Sequence, residues 1–462
     1  MHWTSRTNDI IMIFDIDKQT IRDLELFTDK KNGGSIYNFY KRTATIGGQE
    51  ALYEMINVPV SDFEFLQNRK DSIRFFLDHN CFLKLHSRQI DYVEFYLRNR
   101  RFPLRDNILD ATYDGISNKL SPDSDYHIIS EGVFHIIQFL EELLKFIKEA
   151  ETLQVESFLD KDFEIIKKVT TSKIITEILK VAPKKIGDLS YSKINKLDRF
   201  FRVSNKDPFR ELLNIVYKID VLQTLSEIIK KDGFTLPEYV TDSKPVFEVS
   251  EGFHPFLEVP IQNSFSFKNN SSLCFVTGPN MSGKSTFLKT MGLMIYLSHV
   301  GFPVPAKQFK TSIFDGLFTT INLTDNLNLG YSHFYSEVKR VKDIVIKINS
   351  KKNLLIIFDE LFRGTNVKDA YDASLMIISA LAKIRDNLFF ISTHILEVAE
   401  NIDNKDSIMF RCFESDLIGQ QPVYDYKIKD GISKERIGLL IIKNEQIPEI
   451  LDEIVRKQNN CL

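Results

Sequence analysis

Two kinds of apolar spacing divide this chain. From Thr43 apolar residues recur at three- and four-residue steps, break at Val58-Pro59-Val60, and resume through Leu66, Ile73, Phe76 and Leu77, which predicts two helices. The same spacing returns at Val133, Ile136, Ile137, Leu140, Leu143 and Leu144 and continues to about Asp232, so long helices are expected there. Past Gly252 the pattern changes to short unbroken runs: Leu273–Thr277, Leu354–Phe358, Leu388–Ser392, Ser407–Phe413 and Val423–Ile428. A run without alternation is buried on both faces, as in a parallel sheet covered by helices. The expected fold class is therefore α/β plus all-α: a tail over 1–9, a helical domain over 10–245, and a domain with a mixed sheet over 246–462. Gly47-Gly48 is followed by nothing that could cradle a phosphate, and reads as a packing feature.

Between the run Leu273–Thr277 and the helical pattern after it stands Gly278-Pro279-Asn280-Met281-Ser282-Gly283-Lys284-Ser285-Thr286. Strand, glycine-bearing loop, then Lys-Ser at a helix start is the P-loop (Walker A) arrangement. Its backbone N–H groups and the positive end of the helix hold a polyphosphate, with Lys284 on the β- and γ-phosphates and Ser285 on Mg²⁺. The run Leu354–Phe358 ends in Asp359-Glu360. Asp359 is placed to serve the same metal ion and Glu360 to polarise an attacking water, so the two motifs together predict an Mg²⁺-dependent ATPase. Between them, Gly330-Tyr331-Ser332 leads into a predicted helix over Val338–Ile348, and a helix start with a hydroxyl is a second anion site or an ordinary cap.

Composition narrows the partners only slightly. The 462 residues carry a formal charge of −3, so any nucleic-acid contact has to be a local patch. Residues 161–231 hold sixteen Lys and Arg against nine Asp and Glu, an excess of seven. Lys167, Lys168, Lys184, Lys185, Lys193, Lys196, Arg199 and Arg202, with Phe200 and Phe201 alongside, are the candidate phosphate contacts, although such a run more often lines a solvated helix face. Cys81, Cys274, Cys412 and Cys461 show neither disulfide nor zinc spacing, and no apolar run reaches membrane-spanning length. A reduced, cytoplasmic setting is expected.

With these motifs in view, the chain resembles the MutS family of ATPases from about Ile10 to Ile454. Its loop is similar to T-G-P-N-M-G-G-K-S-T, with Ser282 in place of a glycine. Asp359-Glu360-Leu361-Phe362-Arg363-Gly364-Thr365 resembles D-E-x-x-R-G-T, Ser392-Thr393-His394 resembles [AS]-T-H, and Glu251-Gly252-Phe253-His254-Pro255 resembles E-G-R-H-P. Thr43–Arg69 resembles the start of the family's lever region, and Tyr217–Leu222 its Y-x-x-D-V-L segment. The resemblance implies a helical core and lever followed by an ABC-type ATPase domain that works as a head-to-head, ATP-stabilised homodimer. It puts Asn280, Lys284, Ser285, Asp359, Glu360 and His394 in one site, with His394 sensing the γ-phosphate. Ser332 then reaches the nucleotide of the partner subunit.

The chain departs from the family pattern at Ser332-His333, at Phe253, and at Pro260-Ile261, where an aromatic usually faces adenine and Ile261 is left to pack on the base. Only Met1–Asp9 precede the core, so neither the mismatch-sensing nor the connector domain is expected. The DNA clamp and the extended C-terminal dimerisation helices are expected to be missing or reduced. Two functions follow from the resemblance. One is an ATP-dependent repair or recombination protein that binds mismatched, branched or damaged DNA, with repair proteins as possible partners. The other is a nucleotide-switched module that acts on a protein or ribonucleoprotein.

Overall fold

A computed structural model describes residues 12–27, 34–99, 124–153, 159–180, 182–242, 244–268, 271–322, 333–402, 405–418, 421–433, 442 and 444–459. The chain forms two compact units. One combines Met1–Ile36, Val58–Leu66 and Gly233–Leu462; the other combines Tyr37–Asn57 and Gln67–Asp232.

Strands of the first unit run in chain order from β1 (Asp15–Ile16) through β2 (Glu238–Val240), β3 (Phe247–Gly252), β4 (Asn263–Ser266) and β5 (Leu273–Thr277). After the helix Lys284–Val300 come β6 (Gln308–Ser312), β7 (Gly316–Thr320), β8 (Leu354–Phe358), β9 (Leu388–Ser392) and β10 (Ile408–Cys412). The hairpin β11 (Ser415–Ile418) and β12 (Gln421–Tyr424) and the short β13 (Lys429–Asp430) follow. A seven-stranded sheet has the order β1-β7-β8-β9-β5-β10-β13, parallel throughout except for β13 at one edge. Every residue of β5, β7, β8 and β9 is buried, which explains their continuous apolar runs. A four-stranded sheet, β2-β6-β3-β4, completes this unit's strand layers.

Residues 12–27, 34–36, 58–66, 233–242 and 244–245, within the stretch read from the sequence as a helical domain, pack with this α/β unit. β1 pairs with β7. Just beyond it the buried Asp23 carboxylate accepts hydrogen bonds from Thr319 Oγ1 (2.7 Å) and from the N–H groups of Ile321 (2.9 Å) and Asn322 (3.1 Å). Thr235 exchanges backbone hydrogen bonds with Val304 at 3.0 and 2.8 Å. The expected strand Val423–Ile428 is also corrected. The hairpin strand stops at Tyr424, and Tyr426 takes a left-handed φ of 55°, which a continuous strand cannot contain.

A fully buried histidine ties this unit together. The Phe314 N–H donates to His299 Nε2 at 2.8 Å, which leaves the ring proton on Nδ1 to donate to Ile295 O at 2.8 Å. Burial pushes the imidazole pKa down to about 4, with only the Ile295 carbonyl pulling the other way, since the Phe314 N–H at Nε2 favours the neutral ring. The unfolded chain therefore takes up a proton near pH 6.5 and the folded chain only near 4, so stability falls as pH drops through that window. The slope from this group is at most about 1.4 kcal/mol per pH unit. Urea unfolding at pH 7 and pH 5 should show the loss, and a His299→Gln variant should show a smaller one; equal pH dependence in both proteins would refute the assignment.

In the second unit every regular element among the described residues is helical. It includes Ile46–Asn57, Ser87–Arg98, Ser124–Thr152, Asp160–Thr170, Tyr191–Arg199 and Lys206–Asp232. Gly47 and Gly48 mark the crossing of the first of these with the last. A Cβ on Gly47 would lie 2.3 Å from the Tyr217 ring, and one on Gly48 2.3 Å from the Asp220 carboxylate. Asp220 accepts from the N–H groups of Ala44 and Thr45, both at 2.9 Å, and from Thr45 Oγ1 at 2.7 Å, and so holds Thr45, whose hydroxyl accepts from the Gly48 N–H at 2.9 Å and caps the helix. No helix among the described residues is long and apolar enough to cross a membrane.

Candidate active site

The loop after β5 owes its shape to three left-handed residues: Gly278 (φ 144°), Met281 (φ 68°) and Gly283 (φ 99°). Gly278 cannot be replaced cheaply, because a Cβ there would lie 2.7 Å from Phe413 O. Gly283 caps the helix Lys284–Val300, so that helix directs its positive end at the loop. Lys284 is buried and folds back, its ammonium donating to Gly278 O (2.7 Å) and Pro279 O (2.8 Å). Burial pulls its pKa down, against the pull of Asp359 and Glu360. The Ser282 hydroxyl is also buried in the loop and has no hydrogen-bond partner among the described residues. A desolvated cation and an unpaired hydroxyl beside the positive end of a helix suit an oxyanion.

Strand order brings the second motif alongside. β9 lies between β8 and β5, so Ser392 at its end reaches residues after β8. Ser392 Oγ donates to Asp359 Oδ1 at 2.5 Å and accepts from the Glu360 N–H at 3.0 Å. Asp359 is buried, which raises its pKa, while hydrogen bonds from Ser285 and Ser392 act to lower it. Ser285 from the loop and Asp359 thus meet in one corner. A hydroxyl and a poorly solvated carboxylate, both oxygen donors, fit a small hard cation such as Mg²⁺.

Glu360 stands at a left-handed φ of 56° and is held at both carboxylate oxygens. His394 Nε2 lies 2.7 Å from Oε1, and Arg363 donates to Oε2 at 2.7 Å. Mainly through the His394 hydrogen bond, the Glu360 pKa falls to about 2.

The loop, Glu360, Arg363 and His394 share a cavity of about 750 Å³. Asn280 to Thr286 line one side and Glu360, Arg363 and His394 the acid side, while Leu257, Val259 and Ile261 line an apolar end. The structure therefore brings together every nucleotide and metal candidate of the sequence analysis except Ser332, which lies outside the described residues. Residue-level reading missed Tyr426, Ser392 as a bridge, and Arg363. Tyr426 faces the same cavity, its ring 3.3 Å from where a Gly283 Cβ would lie. An isolated tyrosine after a hairpin carries no motif that could have announced it.

A family model described as MutS domain V matches residues 274–461. Over that stretch, less than half of its length, the chain is similar to the MutS family's domain V. It is similar to the DNA mismatch repair protein MutS of Anaplasma phagocytophilum, with 30% identity over 227 residues covering 48% of this chain and 27% of that protein. The protein of the same name from Bacillus licheniformis is 31% identical over 250 residues, covering 52% of this chain and 28% of the relative. For Bacillus subtilis the figures are 30% over 259 residues, 54% and 29%. The chain spans under a third of the length of these curated relatives.

The basic candidates in the helical unit fare differently. Lys168, Lys184, Lys185, Lys196 and Arg199 are exposed and Lys193 is half-buried, while Lys167 is exposed but pairs with Glu151 at 2.5 Å. Arg202 is removed from the set. It is buried, donating from Nε to Asp198 Oδ1 at 2.5 Å and from NH2 to Oδ2 at 2.7 Å, so its charge is spent inside the protein. Phe201 is likewise core, packed edge-on against Phe209 at 5.0 Å.

Proposed function

We propose that this chain is a MutS-family, Mg²⁺-dependent ATPase whose nucleotide state controls its grip on mismatched, branched or damaged DNA. The observation that carries this reading is the meeting of Ser285 and Asp359 beside the buried Lys284, with Glu360 facing the same cavity. Lys284 and the loop N–H groups take the phosphates, Ser285 and Asp359 hold Mg²⁺, and Ile261 and Tyr426 take the base. Bound Mg²⁺ neutralises charge on the β- and γ-phosphates. Glu360 orients the attacking water, and His394 couples it to the γ-phosphate. The name shared by the relatives, DNA mismatch repair protein MutS, supports DNA as the partner. Residues 37–57 and 67–232 act as the family's core and lever, and 233–462, joined by the segment up to Ile36 and by 58–66, as its ABC-type domain.

Because DNA contact here rests on exposed lysines, affinity should fall steeply with salt, and Lys184→Glu with Lys185→Glu should flatten the salt slope by about one unit per lost phosphate contact. Filter binding of homoduplex, mismatched, branched and RNA substrates across a salt series tests this. A hundredfold preference for a mismatch at physiological salt would mean that phosphate contacts are not the basis of binding.

A homodimer closed by ATP completes the reading, with Ser332 acting on the nucleotide of the partner. Mixing Ser332→Ala with Lys284→Ala subunits produces dimers with one intact and one doubly damaged site, so activity should partly return. If mixed dimers form and stay inactive, Ser332 does not act across the interface.

One observation favours the second function, a switch acting on a protein partner. The helix Ile447–Asn459 exposes Ile447, Ile450, Leu451, Ile454 and Val455 along one stripe. A helix this short is marginal alone in water, so its stripe calls for a protein surface, either a second copy or another protein. Light scattering with and without ATP separates self-association from the need for another protein.

A further inference from the structure

Ile261 and Asn263, where β4 begins, and Tyr426, just ahead of β13, line the cavity from segments distant in sequence. Asn263 joins them. Its Nδ2 donates to Tyr426 O at 3.0 Å, and its Oδ1 accepts from the Ile428 N–H at 2.9 Å. Lys427 Nζ adds a bond to Gln262 O at 2.6 Å. The two carboxamide bonds need one donor and one acceptor on the same short side chain. Asparagine supplies both; an ionised aspartate supplies only acceptors.

These bonds bracket the residue that most needs holding. Tyr426 has a left-handed φ of 55°, a conformation that a bulky residue keeps only where its surroundings impose it. The residue is 43% exposed and so is not fixed by packing alone. Held there, the ring stands over Gly283 at the start of the helix Lys284–Val300, and Ile261 on the other segment faces the same space. Asn263 thereby sets the distance between an aromatic and an aliphatic surface and keeps both next to the phosphate loop.

We propose that Asn263 is a positioning residue for the base of the bound nucleotide, acting through Tyr426. Its part is to hold Tyr426, and the phosphates and reacting atoms are left to the loop and the acidic pair. The proposal rests on the ATP reading above, and its test keeps the two apart by comparing Mg·ATP with Mg·tripolyphosphate, which has the phosphates but no base.

Isothermal titration of the full chain should find that Asn263→Ala and Tyr426→Ala each weaken ATP by about tenfold, within the range for stacking of a base on an aromatic. Both should bind tripolyphosphate as the unmodified protein does, which also reports that the loop is folded. Since one residue acts through the other, the double variant should bind ATP no more weakly than Tyr426→Ala alone. Asn263→Asp should match Asn263→Ala, because the donor to Tyr426 O is lost. Lys284→Ala should weaken both ligands. Unchanged ATP affinity in Asn263→Ala, equal loss of both ligands, or additive losses in the double variant would overturn the role of Asn263. Failure of the unmodified protein to bind either ligand would overturn the nucleotide reading itself, and this proposal with it.

Discussion

Glu360→Ala should keep Mg·ATP bound while lowering its hydrolysis by about 10²- to 10⁴-fold, the usual worth of a positioned acid–base group. Binding survives because the phosphate loop, Lys284, Ser285 and Asp359 are untouched. Turnover falls because Glu360 is the ionised carboxylate that faces the cavity from beside the Ser285–Asp359 corner. With its pKa held at about 2 by His394 and Arg363, it is too weak a base to remove a proton from water outright, so its work is to orient and polarise. The sign of the shift fixes the pH behaviour. Glu360 stays deprotonated at every pH well above 2, so any loss of rate between pH 8 and pH 5.5 has to come from another group. Phosphate release under saturating ATP, with affinity measured in parallel, checks both halves. A variant that keeps more than half of the turnover would show that another residue directs the water.

Arg202→Ala should destabilise the helical unit by about 3–5 kcal/mol, the cost of leaving a buried charge without its partner. Asp198 receives two hydrogen bonds from Arg202 and a third from Tyr96 OH at 2.7 Å, and both charged side chains are almost completely buried. Truncating Arg202 leaves the buried Asp198 carboxylate without its charged partner. The paired change Arg202→Met with Asp198→Leu should lose far less, because neither charge then remains. Lys184→Ala, at an exposed site, should shift stability by less than about 0.5 kcal/mol. Denaturant unfolding of the three proteins decides the matter. An Arg202→Ala loss below about 1 kcal/mol, or a clear drop in nucleic-acid affinity without loss of stability, would return Arg202 to the binding surface.

What the sequence determined by itself is what local chemistry compels. Strands buried on both faces must be continuously apolar, so β5, β8 and β9 were legible to the residue. A backbone that cradles phosphate must carry glycines where φ is positive and a lysine at the helix start, so the loop 278–286 announced itself, as did the acidic pair after β8. Helical spacing marked the second unit, and Pro59 its interruption. The tertiary structure alone decided which distant groups meet. A two-residue strand has no periodicity, so nothing local could place β1 beside β7, some 300 residues on. Ser392 bridges the two motifs only because β9 falls between β8 and β5 in the sheet. Arg202 read as a surface charge in a basic stretch, and only the turn that carries it inward to Asp198 made it core. Tyr426 reached the cavity through bonds to Asn263, 163 residues earlier. For β1, Ser392 and Tyr426 the deciding contact spans far more chain than a local pattern records, because hydrogen bonding and burial depend on distance in space and not on separation along the sequence.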